Sequence, residues 1–169
     1  YMPAEADVRV GGDWYDALVL PDGRVALSVG DVSGHGLAAG AAMGQLRNAL
    51  RAYLVEGHRP SESLAHLNRL LLLTGSESMA SVVCALVDPA SGEVEWASAG
   101  HPPMLCLRSG AAERLAEPHG VLLGATDESA YPRAQLRLGA GDALVLYTDG
   151  LVERRGEDID VAIDALGGA

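Results

Sequence analysis

Three aspartates stand where apolar runs begin or stop: Asp13 after Gly11-Gly12, Asp31 after the run 24–30, and Asp149 after Ala143-Leu144-Val145-Leu146-Tyr147-Thr148. Any one of them alone reads as a turn residue, because Gly-Asp and Asp-Gly are common where the chain reverses. Two of them are linked by register. If 16–20 and 24–30 form a hairpin centred on Asp22, Val19 faces Val25, Ala17 faces Leu27, Tyr15 faces Val29 and Asp13 faces Asp31, all on one side of the ribbon. Directly opposed carboxylates, with Cβ atoms about 4.5–5.5 Å apart, repel unless something neutralises them. A hard divalent cation does so, and an all-oxygen donor set suits Mg²⁺ or Mn²⁺ rather than zinc.

Asp31 also opens Asp31-Val32-Ser33-Gly34-His35-Gly36, a Gly-rich turn leading into a helical stretch. Glycines let backbone approach a ligand, and a helix start favours anions, so Gly34, His35 and Gly36 are candidate substrate contacts, with a cation bridging Asp31 to a phosphate. His35 could donate a proton or hold phosphate; it could equally hydrogen-bond the backbone at the helix start.

The elements that must position these residues follow from period and punctuation. Strands are expected at 16–20, 24–30, 80–88, 93–99, 104–108 and 143–148, with turns at Pro21-Asp22-Gly23 and at 88–92 closing two hairpins. Between them Ala42, Leu46, Ala49, Leu50, Tyr53 and Leu54 recur at helical spacing. A second helix follows Pro60-Ser61-Glu62, with Leu64, Leu67, Leu70 and Leu71 on one side. Trp14 and Tyr15 read as a packing pair at a strand end. Hairpins, helices, then hairpins point to an α+β fold of antiparallel sheets covered by helices.

The chain has 169 residues, nearly half of them apolar, enough for one domain with a substantial core. No run is long enough to span a bilayer, and 1–5 lack the basic and apolar regions of a signal peptide, so the expected location is cytoplasmic. Cys84 and Cys106 each sit in an apolar run, where a small buried thiol fits. A formal net charge of -11 argues against nucleic acid and anionic membranes as partners. Every cation is an arginine or a histidine, because the sequence contains no lysine. That excludes a Walker phosphate loop, a protein kinase and Schiff-base chemistry. Phosphate chemistry here must use metal, arginine or backbone amides.

Taken together, Gly11-Gly12-Asp13-Trp14-Tyr15-Asp16, Gly30-Asp31-Val32-Ser33-Gly34-His35-Gly36, Ser98-Ala99-Gly100-His101-Pro102-Pro103 and Tyr147-Thr148-Asp149-Gly150-Leu151-Val152-Glu153 resemble the SpoIIE/RsbU branch of the metal-dependent (PPM, phosphatase 2C-like) serine/threonine phosphatases. The resemblance covers nearly the whole chain, read as a single domain over 1–169 trimmed at both ends. It implies two antiparallel sheets packed as a sandwich and flanked by helices, with two Mn²⁺ or Mg²⁺ ions and a bridging water at one edge. Carried over by position, Asp31 is the carboxylate shared by both ions, Asp13 and the Val32 carbonyl are ligands of one, and Asp149 is a ligand of the other. The ions would activate the water and orient the phosphate for in-line attack.

The sequence departs from the family pattern in two informative places. The family's terminal Asp-Asp strand, a further ligand source for the Asp149-side ion, is not matched, and Asp158, Asp160 and Asp164 lack its context. The Asp13/Asp31/Val32 position is therefore expected to bind better than the second. Ser33 stands where phosphatase 2C relatives carry a histidine, so that acid role is not transferred to His35; His101, bound by prolines, reads as structural. The resemblance implies hydrolysis of phosphoserine or phosphothreonine on a protein, with a STAS-type anti-anti-sigma factor as partner, sensor domains such as PAS or GAF in the longer chain, and a homodimer through helices. The rival reading is a phosphatase-like binding module without turnover. A nucleotide hydrolase is disfavoured by the absent lysine.

Overall fold

In a computed structural model, residues 11–74, 78–115, 119–127, 130–152 and Val161 are described. Strands β1 (Trp14–Val19) and β2 (Val25–Val32) are followed by helices α1 (Leu37–Val55) and α2 (Pro60–Leu73). Six strands follow: β3 (Ala80–Val87), β4 (Glu93–Ala99), β5 (Met104–Arg108), β6 (Ala111–Leu115), β7 (Arg133–Arg137) and β8 (Ala143–Val145). They form a five-stranded sheet ordered β1-β2-β3-β4-β7 and a three-stranded sheet ordered β6-β5-β8, antiparallel throughout.

Strand parity sorts the core into two layers. Val82, Cys84 and Leu86 point toward the helices, where they meet Leu46, Leu50 and Leu54 of α1 and Leu64, Leu67 and Leu71 of α2. Val83 and Ala85 point the other way and join Val29, Val94, Trp96 and Met104 between the sheets. A strand buried on both faces reads as a continuous apolar run, which is why β3 has no alternation to betray its orientation. Helices α1 and α2 cover the same face of the five-stranded sheet.

Both helices begin as their sequences indicate. Pro60 occupies the first turn of α2, and the Glu62 carboxylate accepts the Arg59 N–H at 2.9 Å. Gly36, at φ 87°, precedes α1 without a side-chain cap. Arg51 of α1 reaches back to β1, donating through Nε and one terminal nitrogen to the two Asp16 carboxylate oxygens at 2.5 and 2.6 Å. Among the described residues no helix is long and apolar enough to cross a membrane.

Three expectations need correction. Strands β6, Ala-Ala-Glu-Arg-Leu, and β7, Arg-Ala-Gln-Leu-Arg, were not anticipated. Each lies at a sheet edge, where charge on one side discourages wrong pairing and dilutes the apolar signal. The run 143–148 is a strand only as far as Val145; Leu146 and Tyr147 stay in apolar packing after the chain has left the ladder. Trp14 and Tyr15 do not pack together. Trp14 is buried against Gly30 in the helix-side core and its indole N–H donates to Ser28 Oγ at 3.4 Å, whereas Tyr15 points to the opposite face and is 74% exposed.

Candidate metal centre

The first hairpin has the register expected from its turn, from Val19↔Val25 to Trp14↔Gly30. Leu20 N–H donates to Arg24 O at 2.8 Å at one end, and Val32 N–H donates to Gly12 O at 3.2 Å at the other. The same pairing therefore continues past the ladder and sets Asp13 opposite Asp31. Both bonds fall on even-numbered pairs, so Asp13 and Asp31 occupy a non-hydrogen-bonded pair, the type in which side chains approach more closely. The Asp13 carboxyl stands close enough to engage Asp31 in a side-chain hydrogen bond that favours the protonated form of Asp31. Partial burial first, then that bond and the charges of Asp13 and Asp149, push Asp31 up to about 7.

Gly12 makes the approach possible. A Cβ there would lie 2.1 Å from the Val32 carbonyl oxygen and 2.9 Å from Asp31 Oδ1. No side chain fits, so the Val32 carbonyl and the Asp31 carboxylate both face bare backbone.

Asp149 enters from the other sheet. Beyond β8, Tyr147 is buried with Leu105 and Val152, and the chain closes into a 3-10 turn, Asp149–Leu151. The packing brings this turn against the hairpin: Thr148 Oγ1 donates to Asp13 Oδ2 at 3.2 Å, and a Cβ on Gly150 would lie 4.0 Å from the same oxygen. His101, 3% exposed, holds the segment from behind. Its Nε2 lies 2.9 Å from the Tyr147 carbonyl oxygen and its Nδ1 lies 2.9 Å from Ser81 Oγ. A carbonyl only accepts, so Nε2 carries the proton and Nδ1 accepts from Ser81. Burial holds the His101 pKa below the usual imidazole range, in keeping with a neutral ring.

A cleft of about 620 Å³ opens beside these groups, lined by Asp31, Asp149, Ser33, Arg114 and His119 among others. Gly34, His35 and Gly36 are not among its lining residues. The two glycines have φ of 100° and 87°, conformations that favour glycine, and His35 is exposed between them. Ser33 is fixed by its own backbone and side-chain bonds to Met79.

The donor set fits a hard divalent cation. Asp13 and Asp31 bring two opposed carboxyl groups together, and the Val32 carbonyl stands beside them; all the donors are oxygen. Among the described residues no three His, Cys, Asp or Glu side chains close on one point, so the arrangement is a pair of carboxylates plus Asp149 set apart. Asp158, Asp160, Asp164 and Glu153 lie outside the described residues. Sequence reasoning missed Thr148, Ser81 and Arg114. Ser81 was within reach: it sits opposite Asp31 in the β2–β3 ladder, and extending the register by one strand would have found it.

The fold is that of PP2C-type phosphatases. It superimposes with a TM-score of 0.78 on the PP2C phosphatase domain and regulatory fragment of SpoIIE from Bacillus subtilis, at 20% identity, covering 94% of this chain and 48% of that one. The RsbU and RsbW domains of Rv1364c from Mycobacterium tuberculosis give a TM-score of 0.85 at 38% identity, over 98% of this chain and 46% of that one. The family model described as Stage II sporulation protein E (SpoIIE) matches residues 21–167, and the chain belongs to that family. Among curated relatives, the phosphoserine phosphatase RsbU of Bacillus subtilis is 28% identical over 89% of this chain and 45% of its own length. Protein IcfG of Synechocystis is 26% identical over 86% of this chain and 27% of its own length. The chain thus spans less than half of either relative.

Proposed function

We propose that this chain is a metal-dependent protein serine/threonine phosphatase domain that removes phosphate from phosphoserine or phosphothreonine. The observation that carries the reading is the Asp13–Asp31 pair, forced together by hairpin register and met by the Thr148–Asp149 turn at the mouth of a cleft. Asp13, Asp31 and the Val32 carbonyl would hold one Mn²⁺ or Mg²⁺, and Asp31 with Asp149 a second, less fully ligated one. The chemistry supplied by divalent cations held there would be activation of water and offset of charge on phosphoryl oxygens. The protein's own part is to hold the carboxylates in place and to keep the cleft open to a phosphorylated side chain. Gly34, His35 and Gly36, which follow Ser33 of the cleft lining, are proposed to meet the substrate protein rather than the reacting phosphate.

The proposed substrate is a phosphorylated STAS-type anti-anti-sigma protein, with this domain as the output end of a longer, cytoplasmic signalling chain; the similarity to the phosphoserine phosphatase RsbU supports a phosphoprotein substrate. Sensor domains and a helix-mediated dimer belong to the same proposal.

The test is release of phosphate from a phosphoserine STAS protein with and without Mn²⁺, using the wild type, Asp31→Asn and Asp149→Asn. Turnover should require Mn²⁺ and fall by about 10²-fold or more in Asp31→Asn, the range over which positioned charge at a reacting centre acts. Metal-independent turnover, or unchanged rates in both variants, defeats the proposal. Tight binding of the phosphoprotein with no turnover would establish a binding module in its place.

A further inference from the structure

We infer that His101 and Ser81 form a positioning tether that places Asp149 for cation binding. The inference rests on Asp149 being a cation ligand, as proposed above. Its geometric basis is a continuous chain of contacts from one sheet to the other. Ser81 pairs with Asp31 across the β2–β3 ladder, so its side chain starts beside the central carboxylate of the site. Its hydroxyl donates to His101 Nδ1 at 2.9 Å, and His101 Nε2–H donates to the Tyr147 carbonyl at 2.9 Å, two residues before Asp149.

The imidazole is itself held tightly. Its backbone N–H lies 3.3 Å from Ser98 Oγ as donor, and Gly100, at φ 63°, bonds through its N–H to Gly120 O at 2.8 Å. A Cβ on Gly100 would lie 2.6 Å from Leu122, so the loop that presents the ring has little freedom to move. The segment it grips needs such support. The ladder of β8 ends at Val145, and from there to the 3-10 turn the chain has left the sheet. Without His101 the Tyr147 carbonyl would lose its buried donor, and Asp149 would depend on the exposed Thr148–Asp13 bond and on apolar packing, which is poorly directional.

This assigns a role to the Gly-His-Pro-Pro motif distinct from turn-making. A buried neutral histidine with one donor and one acceptor nitrogen can join a hydroxyl to a carbonyl, and neither lysine nor arginine can accept at Nδ1. Gln reproduces the Nε2 donor and Asn only the Nδ1 position, which separates the two halves of the tether.

Mn²⁺ binding to metal-free protein by calorimetry tests it, with hydrogen exchange at Thr148, Asp149 and Gly150 as a readout independent of metal. His101→Ala should weaken Mn²⁺ at the second, Asp149-side position about tenfold, the lower end of what outer-shell partners contribute, and speed exchange in 148–150 while β3 amides keep their protection. His101→Gln should restore affinity to within about threefold, and His101→Asn should not. The His101→Ala and Asp149→Asn losses should fail to multiply in the double variant, as expected of residues acting through one contact. Wild-type affinity in His101→Ala while Asp149→Asn binds weakly overturns the tether alone; so do multiplying losses, or Gln behaving as Ala. Wild-type affinity in Asp149→Asn overturns the tether together with the ligand assignment beneath it. Should His101→Ala fail to fold, Ser81→Ala and His101→Gln carry the same comparison, Ser81→Ala being expected to lose about threefold and an unchanged affinity counting against the tether.

Discussion

Arg51 on α1 grips both carboxylate oxygens of Asp16 on β1, fastening the helix layer to the edge of the five-stranded sheet. The Asp16 side chain is only 11% exposed, and its bonds to Arg51 hold its pKa below the usual carboxylate value. A carboxylate with a depressed folded pKa adds stability above its unfolded value near 4, and that stability is lost as pH falls through the folded one. Asp16→Asn should therefore lower unfolding free energy by about 1–3 kcal/mol at pH 7. In urea titrations the gap between variant and wild type should close toward pH 3.

Asp31→Asn is expected to act in the opposite direction on stability. In metal-free protein it removes a partly buried charge set beside Asp13 and Asp149, so its melting temperature should equal or exceed that of the wild type at pH 8. Adding Mn²⁺ at about a hundred times its dissociation constant should stabilise the wild type by about 2.7 kcal/mol and leave Asp31→Asn unchanged. A fold destabilised by the substitution, with no response to Mn²⁺ in either protein, would mean that Asp31 serves structure alone.

Gly12→Ala should damage the site with little effect elsewhere. The new methyl group would collide with the Val32 carbonyl and the Asp31 carboxylate, both backed by sheet. Mn²⁺ affinity should fall by about tenfold or more, judged by calorimetry, because ligand placement is what the glycine permits.

Gly30→Ala tests the face of β2 opposite Asp31. Its Cβ would lie 2.3 Å from the Trp14 ring, an overpacking that costs about 1–3 kcal/mol. Trp14→Leu in the same chain should recover part of that loss, so the two substitutions should be non-additive in denaturant unfolding.

The hairpin half of the site was legible because Pro21-Asp22-Gly23 makes an unambiguous turn, and a turn determines every pair above it. Once Asp22 was the centre, Asp13 and Asp31 followed without reference to the rest of the chain. The helices were legible for a similar local reason: Leu46, Leu50 and Leu54 repeat at a helical interval and are all buried. The other half of the site was not legible from local pattern. The Asp149 turn meets the hairpin, through the Thr148–Asp13 bond, where Tyr147, Leu105 and Val152 pack together, and nothing near Asp149 encodes that docking. The same holds for His101, whose neighbours in sequence indicate a rigid loop while its partners, Ser81 and the Tyr147 carbonyl, come from two separate strands' surroundings. Strands β6 and β7 were missed because edge strands conceal their alternation behind arginine and glutamate. The Ser109-Gly110 turn between β5 and β6, with φ of 51° and 78°, was the local clue that such a strand existed.

The Thr148–Asp13 bond joins residues 135 positions apart, nearly the full span of the described chain. On a ribosome, the β1–β2 hairpin can form as soon as Val32 has emerged, but its two aspartates then face one another without their third companion. Loop closure over such a distance is slow, and contacts of this kind form late. The order of synthesis therefore separates the local fold from the site: a nascent chain can carry a well-formed hairpin and helical layer while its carboxylate centre stays half assembled until the residues around Asp149 arrive.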